Sequence, residues 1–386
     1  MIKLMKSTFL HEEETKRKLV DFIMQAKKLS MGAECKAYEV AFAKKQGRKH
    51  AIFVSSGSAA NLGLLQALLN TGKLQKGARV GFSALTWATN VMPIIQLGMT
   101  PVAIDCELET LNTSPATLAK AGKLDALFLT NVLGLCDDLP GIATYCQTKD
   151  ILLLEDNCES LGSSVQGKLL GNFGYASTFS SFIGHHVSTV EGGMICTDDD
   201  DFADALIMVR AHGWDRNLSE QKRTALRKQH GVKDFFAMYT FYDLAYNLRP
   251  TEIQGCLGNL QLPYWDEIVS GREANFKKFL ASAQSNANIY PLRTEQLSTV
   301  SNFAMPVVYK SETAFSKACQ AFVNEQVEVR PIIAGNITEQ PFYKKYMPHP
   351  EPCPNAAIIH RRGLYFPNNP ELTEEEVIQL SSLLHG

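Results

Sequence analysis

Between residues 50 and 200 the chain alternates short apolar runs with longer stretches whose apolar positions recur every three or four residues. The short runs read as buried strands: 51–54, 79–82, 102–105, 126–130, 151–155, 177–179 and 194–197. Helical spacing marks 59–69 and 89–96 between them. It also marks two segments ahead of them, 12–29 (Leu19, Phe22, Ile23, Ala26) and 34–46. Such alternation predicts a mostly parallel sheet covered by helices. The polar, basic stretch 219–233 shows no period and is expected to be an exposed excursion. After Arg249-Pro250 comes a long helical region, then strands at 301–308 and 328–333 mixed with helices. The fold class is therefore α/β: a large domain over residues 1–255, including the N-terminal helices, and a smaller C-terminal α+β domain over 256–386.

Composition narrows the function classes. The 386 residues are 45% hydrophobic and 20% charged, with a formal net charge of −2. That leaves no electrostatic signature of nucleic-acid binding. The cluster Lys44, Lys45, Arg48 and Lys49 reads as a solvated helix end. No run approaches the roughly 18 apolar residues of a membrane span, and the first ten residues lack a signal-peptide core. The nine cysteines form no CxxC pair and no zinc spacing, a pattern suited to a reducing compartment. A cytoplasmic location with no metal is expected.

Three segments carry candidate chemistry. Phe53-Val54-Ser55-Ser56-Gly57-Ser58-Ala59-Ala60-Asn61 runs from a strand into a helix. Unpaired N–H groups at such a helix start attract an anion, and Gly57 would let a phosphate approach the main chain. An ordinary Ser cap explains the segment equally well. Ile151 through Glu159 ends a buried strand with Glu155-Asp156. A carboxylate there can pair with a protonated ring nitrogen, or simply cap the next helix. Thr178 through His186 leads from a strand into a turn with two histidines, followed by Glu191-Gly192-Gly193. Adjacent histidines cannot easily face one metal, so zinc is not expected. One imidazole in a cleft could act as acid or base, and a structural histidine is the alternative.

Together and in this order, the segments resemble the DegT/DnrJ/EryC1/StrS family of nucleotide-sugar aminotransferases. That family has the fold-type I, aspartate-aminotransferase-like architecture and uses pyridoxal phosphate (PLP). Its pattern is Ser-Gly-Thr/Ser at the phosphate turn, Glu-Asp-x-x-Gln/His at the carboxylate, and Ser-Phe-x-x-x-Lys ahead of Glu-Gly-Gly. Counting back from Glu191-Gly192-Gly193 puts His185 on the family lysine. One branch has this replacement: the 4-keto-6-deoxy-sugar 3-dehydratases, typified by the enzyme of colitose synthesis. The resemblance to that branch runs nearly end to end. It includes Met31-Gly32, Arg210-Ala211-His212-Gly213-Trp214, Arg216-Asn217-Leu218, Tyr246-Asn247, Arg249-Pro250, Arg330-Pro331 and Gly335-Asn336. The matches thin out in the small domain, and Gly184 stands where the colitose enzyme has Ser.

The resemblance implies that Gly57, Ser58 and Ser180 hold the cofactor phosphate and that Asp156 pairs with the pyridine nitrogen. Trp87 would stack on the ring, with a buried core Trp as the competing reading. Glu159 would meet the ring 3-hydroxyl. Asn247 would reach the phosphate of a partner subunit in a homodimer with shared active sites. Arg249 and Arg330 would grip a carboxylate or diphosphate of the substrate, or form structural ion pairs. His185 would be the general base. Without the lysine, pyridoxamine phosphate (PMP) must bind non-covalently, with L-glutamate restoring it as co-substrate. The implied substrate is a nucleotide-linked sugar, GDP-4-keto-6-deoxymannose, which would lose its C3 hydroxyl. A related branch carries a [2Fe–2S] cluster, but its close CxC grouping is missing here, so no iron–sulfur cluster is expected. Two rivals stay open: an aminotransferase working with free PMP, and a non-catalytic ligand sensor.

Overall fold

The computed structural model describes residues 1–385. Two helices, α1 (Glu12–Gln25) and α2 (Ala33–Gln46), precede the first strand. Seven strands follow: β1 (His50–Val54), β2 (Arg79–Ser83), β3 (Thr100–Ile104), β4 (Ala126–Thr130), β5 (Leu152–Asp156), β6 (Ala176–Ser180) and β7 (Gly193–Thr197). They form one sheet in the order β1-β7-β6-β5-β4-β2-β3. Four neighbouring pairs are parallel, and only β7 runs against both of its neighbours. All seven strands fall on the expected segments to within two residues. Their residues are almost all buried, because helices cover both faces of such a sheet.

α3 (Gly57–Asn70) leaves β1 through Ser55-Ser56 and is buried along most of its length. It packs against β6, β7 and α4 (Asp200–Arg210). The stretch expected to be aperiodic contains a helix, α5 (Glu220–Gln229). Ser219 caps it by accepting from Lys222 N–H, and none of its residues is buried. It escapes a search for apolar periodicity because it has no apolar stripe.

The expected division after residue 255 falls inside α6 (Glu252–Gln261), which packs on α1 and α2. Glu252 accepts from the N–H groups of Gly32 (2.7 Å), Glu34 (2.9 Å) and Cys35 (3.1 Å), so Met31-Gly32 is the capped start of α2. After a short turn at Leu262–Tyr264, α7 (Trp265–Gln284) carries the chain to a three-stranded antiparallel sheet. Its strands are β8 (Ala304–Val308), β9 (Arg330–Pro331) and β10 (Gly363–Pro367), in the order β8-β10-β9. β9 is shorter than expected, for Pro331 has no N–H to pair and Ile333 turns the chain at φ 50°. α8 (Glu374–Ser382) packs on α7. One apolar cluster joins the large sheet's helices to this part through residues such as Leu64, Phe279, Val307 and Phe366. No helix among the described residues is long and apolar enough to cross a membrane.

The adjacent acids that end β5 have different duties. Glu155 is fully buried and accepts from the N–H groups of Gly171 (2.8 Å), Phe173 (2.7 Å) and Gly174 (2.7 Å). It thereby fixes the loop that leads into β6. Glu155→Ala orphans those donors and is expected to cost about 3 kcal/mol or more of stability. Urea unfolding measures this directly, and an unchanged midpoint would contradict the assignment.

Candidate active site

The parallel strands end on one edge of the sheet, where open α/β sheets hold ligands. Asp156 closes β5 there, 4% exposed. Its Oδ2 accepts from Asn61 Nδ2 (2.9 Å) and Asn90 Nδ2 (2.7 Å), and its Oδ1 from Cys158 N–H (2.8 Å). Asn61 lies one turn into α3 and also accepts from Thr178 Oγ1 at 2.7 Å. The carboxylate is thus aimed from three elements. Of these partners, neither Asn61 nor Asn90 was among the expected site residues. Asn61 stands four residues after Gly57, on the same face of the helix, and that spacing was the available signal.

Ser56 is the N-cap of α3, its Oγ accepting from Ala59 N–H at 3.0 Å. The cap and the anion site coexist: the N–H groups of Gly57 and Ser58 carry no hydrogen bond among the described residues. A Cβ on Gly57 would lie 2.8 Å from Ser180 Cβ and 3.1 Å from Cys158 Sγ. Helix start, Ser180 at the end of β6 and the segment after β5 therefore meet in one cradle. Gly193 serves the same closeness, since a Cβ there would sit 2.2 Å from Ser56 O.

Residues 181–192 form a loop between β6 and β7 with the histidines at its tip. Ser181 N–H donates to Gly192 O (3.0 Å), Ile183 N–H to Val190 O (3.0 Å) and Thr189 N–H to Ser181 O (2.8 Å). No lysine occurs between Lys168 and Lys222. The His185 ring packs between Phe182 (centroids 5.7 Å) and Phe303 (5.1 Å), with its Nδ1 buried and unpartnered. Burial, and then the nearby Arg272 charge, push its pKa down to about 4. The imidazole is neutral at pH 7 and free to accept a proton. His186 is buried, its Nε2 3.3 Å from Ser301 O, and serves packing.

Trp87 is 54% exposed, which excludes the core reading. It opens the short turn Ala88–Asn90, whose last residue reaches Asp156. Glu159 accepts from Leu133 N–H at 3.0 Å. Burial raises its pKa to about 8 against that hydrogen bond, and the Asp156 charge adds to the rise. Glu159 therefore carries its proton at neutral pH and can donate it, as a Gln amide would. A folded-state value above the ordinary one means stability is fully present below about pH 4.5 and falls as pH rises toward 8. Glu159→Gln is expected to flatten that fall in a melting-temperature series from pH 5 to 8. An unaltered slope would show that Glu159 does not hold the proton.

The C-terminal sheet approaches the segment after β5 through Tyr365. The Tyr365 ring lies 5.7 Å from Phe303. Burial raises its pKa to about 12, with the Glu159 charge adding and the Arg330 charge opposing. Arg330, exposed and paired across β9–β10 with Tyr365, thus stands at the rim. Asn247 and Arg249 group elsewhere in the chain. Arg249 Nε donates to Asn247 Oδ1 (2.9 Å), and its guanidinium lies 5.4 Å from the Trp214 ring. Their segment borders the phosphate turn through Ser55 N–H to Leu248 O at 2.9 Å.

The residues fit a pyridoxal-type cofactor. The cradle is too narrow for a side chain at Gly57, main-chain donors are free at a helix start, and a buried carboxylate lies beside them.

Comparison with known proteins agrees with this geometry. GDP-4-keto-6-deoxy-D-mannose 3-dehydratase of Escherichia coli O55:H7 is 32% identical over 381 residues, covering 96% of this chain and 97% of that protein. The solved E. coli GDP-4-keto-6-deoxy-D-mannose-3-dehydratase with hydrated PLP superposes with a TM-score of 0.91 at 31% identity, covering 100% and 99% of the two chains. A second structure of GDP-4-keto-6-deoxymannose-3-dehydratase, with a trapped PLP-glutamate geminal diamine, gives 0.90 at 31% identity over the full length of both. Residues 10–384 match the model of a whole family, and by that match the chain belongs to the DegT/DnrJ/EryC1/StrS aminotransferase family.

Proposed function

We propose that the chain is a PMP/PLP-dependent 3-dehydratase that removes the C3 hydroxyl of a nucleotide-linked 4-keto-6-deoxy sugar, GDP-4-keto-6-deoxymannose, with L-glutamate regenerating PMP. The observation that carries this reading is a neutral imidazole, His185, in the loop that leaves β6 at Ser180, itself a wall of the Gly57 cradle. Gly57, Ser58 and Ser180 would hold the phosphate, and Asp156 the ring nitrogen. Trp87 would cover a ring face, and Glu159 would donate to the ring 3-oxygen. When bound, the coenzyme supplies an electron sink conjugated to the sugar carbon beside the departing hydroxyl.

His185 moves the proton. Its Nδ1 is enclosed, which leaves Nε2 as the nitrogen that would accept a proton from the bound coenzyme and return it to the departing C3 oxygen. Arg330 forms an ion pair with Glu328 at 2.5 Å, the structural alternative open in its sequence, and Arg249 would be the guanidinium for an anionic group of the nucleotide sugar. Overall the sugar loses its C3 oxygen, glutamate becomes 2-oxoglutarate, and ammonia leaves, so atoms and electrons balance.

The active unit is a homodimer in which Asn247 meets the partner's phosphate. Supporting this is an exposed apolar run just before it: Phe235 is 87% exposed, and Phe236, Met238, Tyr239, Phe241 and Leu244 are open too. A concentration of exposed large apolar side chains in one segment is characteristic of a protein interface. No nucleic-acid partner is part of this reading, and a cytoplasmic location is.

Incubation with PMP, glutamate and the nucleotide 4-keto-6-deoxy sugar tests the function. Free ammonia with a 3-deoxy-4-keto sugar supports it. An amino sugar would instead identify a transaminase, and binding without turnover a sensor.

A further inference from the structure

Arg272 lies on α7, away from the expected site residues, and is 4% exposed. Its Nη2 donates to His185 O at 3.0 Å. Its Nη1 donates to Asn368 O and reaches Asn302 O at 3.5 Å. Asn368 returns a bond from Nδ2 to Arg272 O (3.0 Å) and another to Asn302 Oδ1 (2.6 Å). Asn302 immediately precedes Phe303, whose ring faces that of His185. One planar fork therefore grips both the loop that carries the imidazole and the segment that carries its packing partner.

We propose that Arg272 is a positioning residue for His185, seating its main chain against Phe303 and holding a fixed positive charge beside it. This rests on the reading of His185 as the base. A buried cation is costly unless compensated, yet Arg272 has no ion pair among the described residues and is met by carbonyl oxygens. Neutral donors would satisfy those carbonyls without that cost. What the cation adds is repulsion of a second positive charge on the imidazole. The groups facing His185 are His186 beside it, Arg272 from α7, and Glu371 from the segment after β10, which partly offsets Arg272. Tyr365 lies beyond Phe303 on the cleft side. Burial and the Arg272 charge act on both histidines in the same direction, keeping each neutral.

The test compares Arg272→Gln and Arg272→Lys in the PMP-loaded enzyme, with His185→Asn as reference. Arg272→Gln is expected to lower kcat by about 10- to 100-fold with KM little changed. It should also move the acidic limb of the kcat profile upward by about one pH unit. Arg272→Lys, which keeps the charge and loses the fork, should lose kcat but retain the limb. The proposal is overturned if Arg272→Gln keeps both kcat and limb while His185→Asn is inactive. Persisting dehydration in His185→Asn would instead remove the base assignment itself. If Arg272→Gln does not fold, Arg272→Lys decides: lowered kcat with the parental acidic limb supports the proposal, and parental kcat overturns it.

Discussion

His185→Asn is expected to lower dehydration of the nucleotide 4-keto sugar by about 10²- to 10⁴-fold, the usual contribution of a positioned acid–base group. Asparagine is of similar polarity and smaller volume but offers no basic nitrogen. The His185 side chain makes no hydrogen bond to Gly57, Ser180 or Asp156, so cofactor uptake should persist. Ammonia release and the absorbance of the bound coenzyme report the two properties independently. Turnover at the parent rate would refute His185 as the base. The complementary change, His185→Lys, restores an amine between Phe182 and Phe303 and is expected to allow a covalent bond to PLP, visible as a spectral shift and trapped by borohydride.

The second large effect is expected from Asp156→Asn. The parent carboxylate accepts from two amides and one main-chain N–H. An asparagine at 156 sets an N–H₂ group against one of those donors and removes the negative partner of the ring nitrogen. Loss of one preorganised electrostatic contact of this kind typically costs about 10²- to 10³-fold in kcat. Affinity for PMP should fall as well, which a titration of coenzyme fluorescence measures. An Asp156→Asn enzyme with parental kcat would show that the carboxylate does not serve the electron sink. The contrast with Glu155→Ala is informative, because that change is expected to weaken the fold and not the chemistry.

Most of the large domain is legible in the chain. Its strands are almost wholly buried, so each appears as an apolar run ended by polar or turn residues, and the seven runs fall on seven strands. The phosphate turn and the Glu-Gly-Gly segment are legible for a related reason: where the Ser180 side chain crowds Gly57 and the Ser56 main chain crowds Gly193, only glycine fits. Less legible are elements whose residues face water. α5 was hidden by its uniformly polar surface, and β9 by a run that looked extended but pairs over only two residues.

Within the site, the order of motifs along the chain determined that a phosphate cradle, a carboxylate and a histidine in place of lysine exist, since each depends on local residue types at fixed spacing. Tertiary structure alone decided how the charged groups behave. Glu155 and Asp156 are adjacent and chemically alike, yet the side of β5 on which each side chain emerges makes one a structural acceptor and the other a site residue. Asn90 and Arg272 converge on the site from distant segments, and Glu159 and His185 take their protonation states from burial. Such effects depend on distances through space and on exclusion of water, quantities a linear order of residues does not contain.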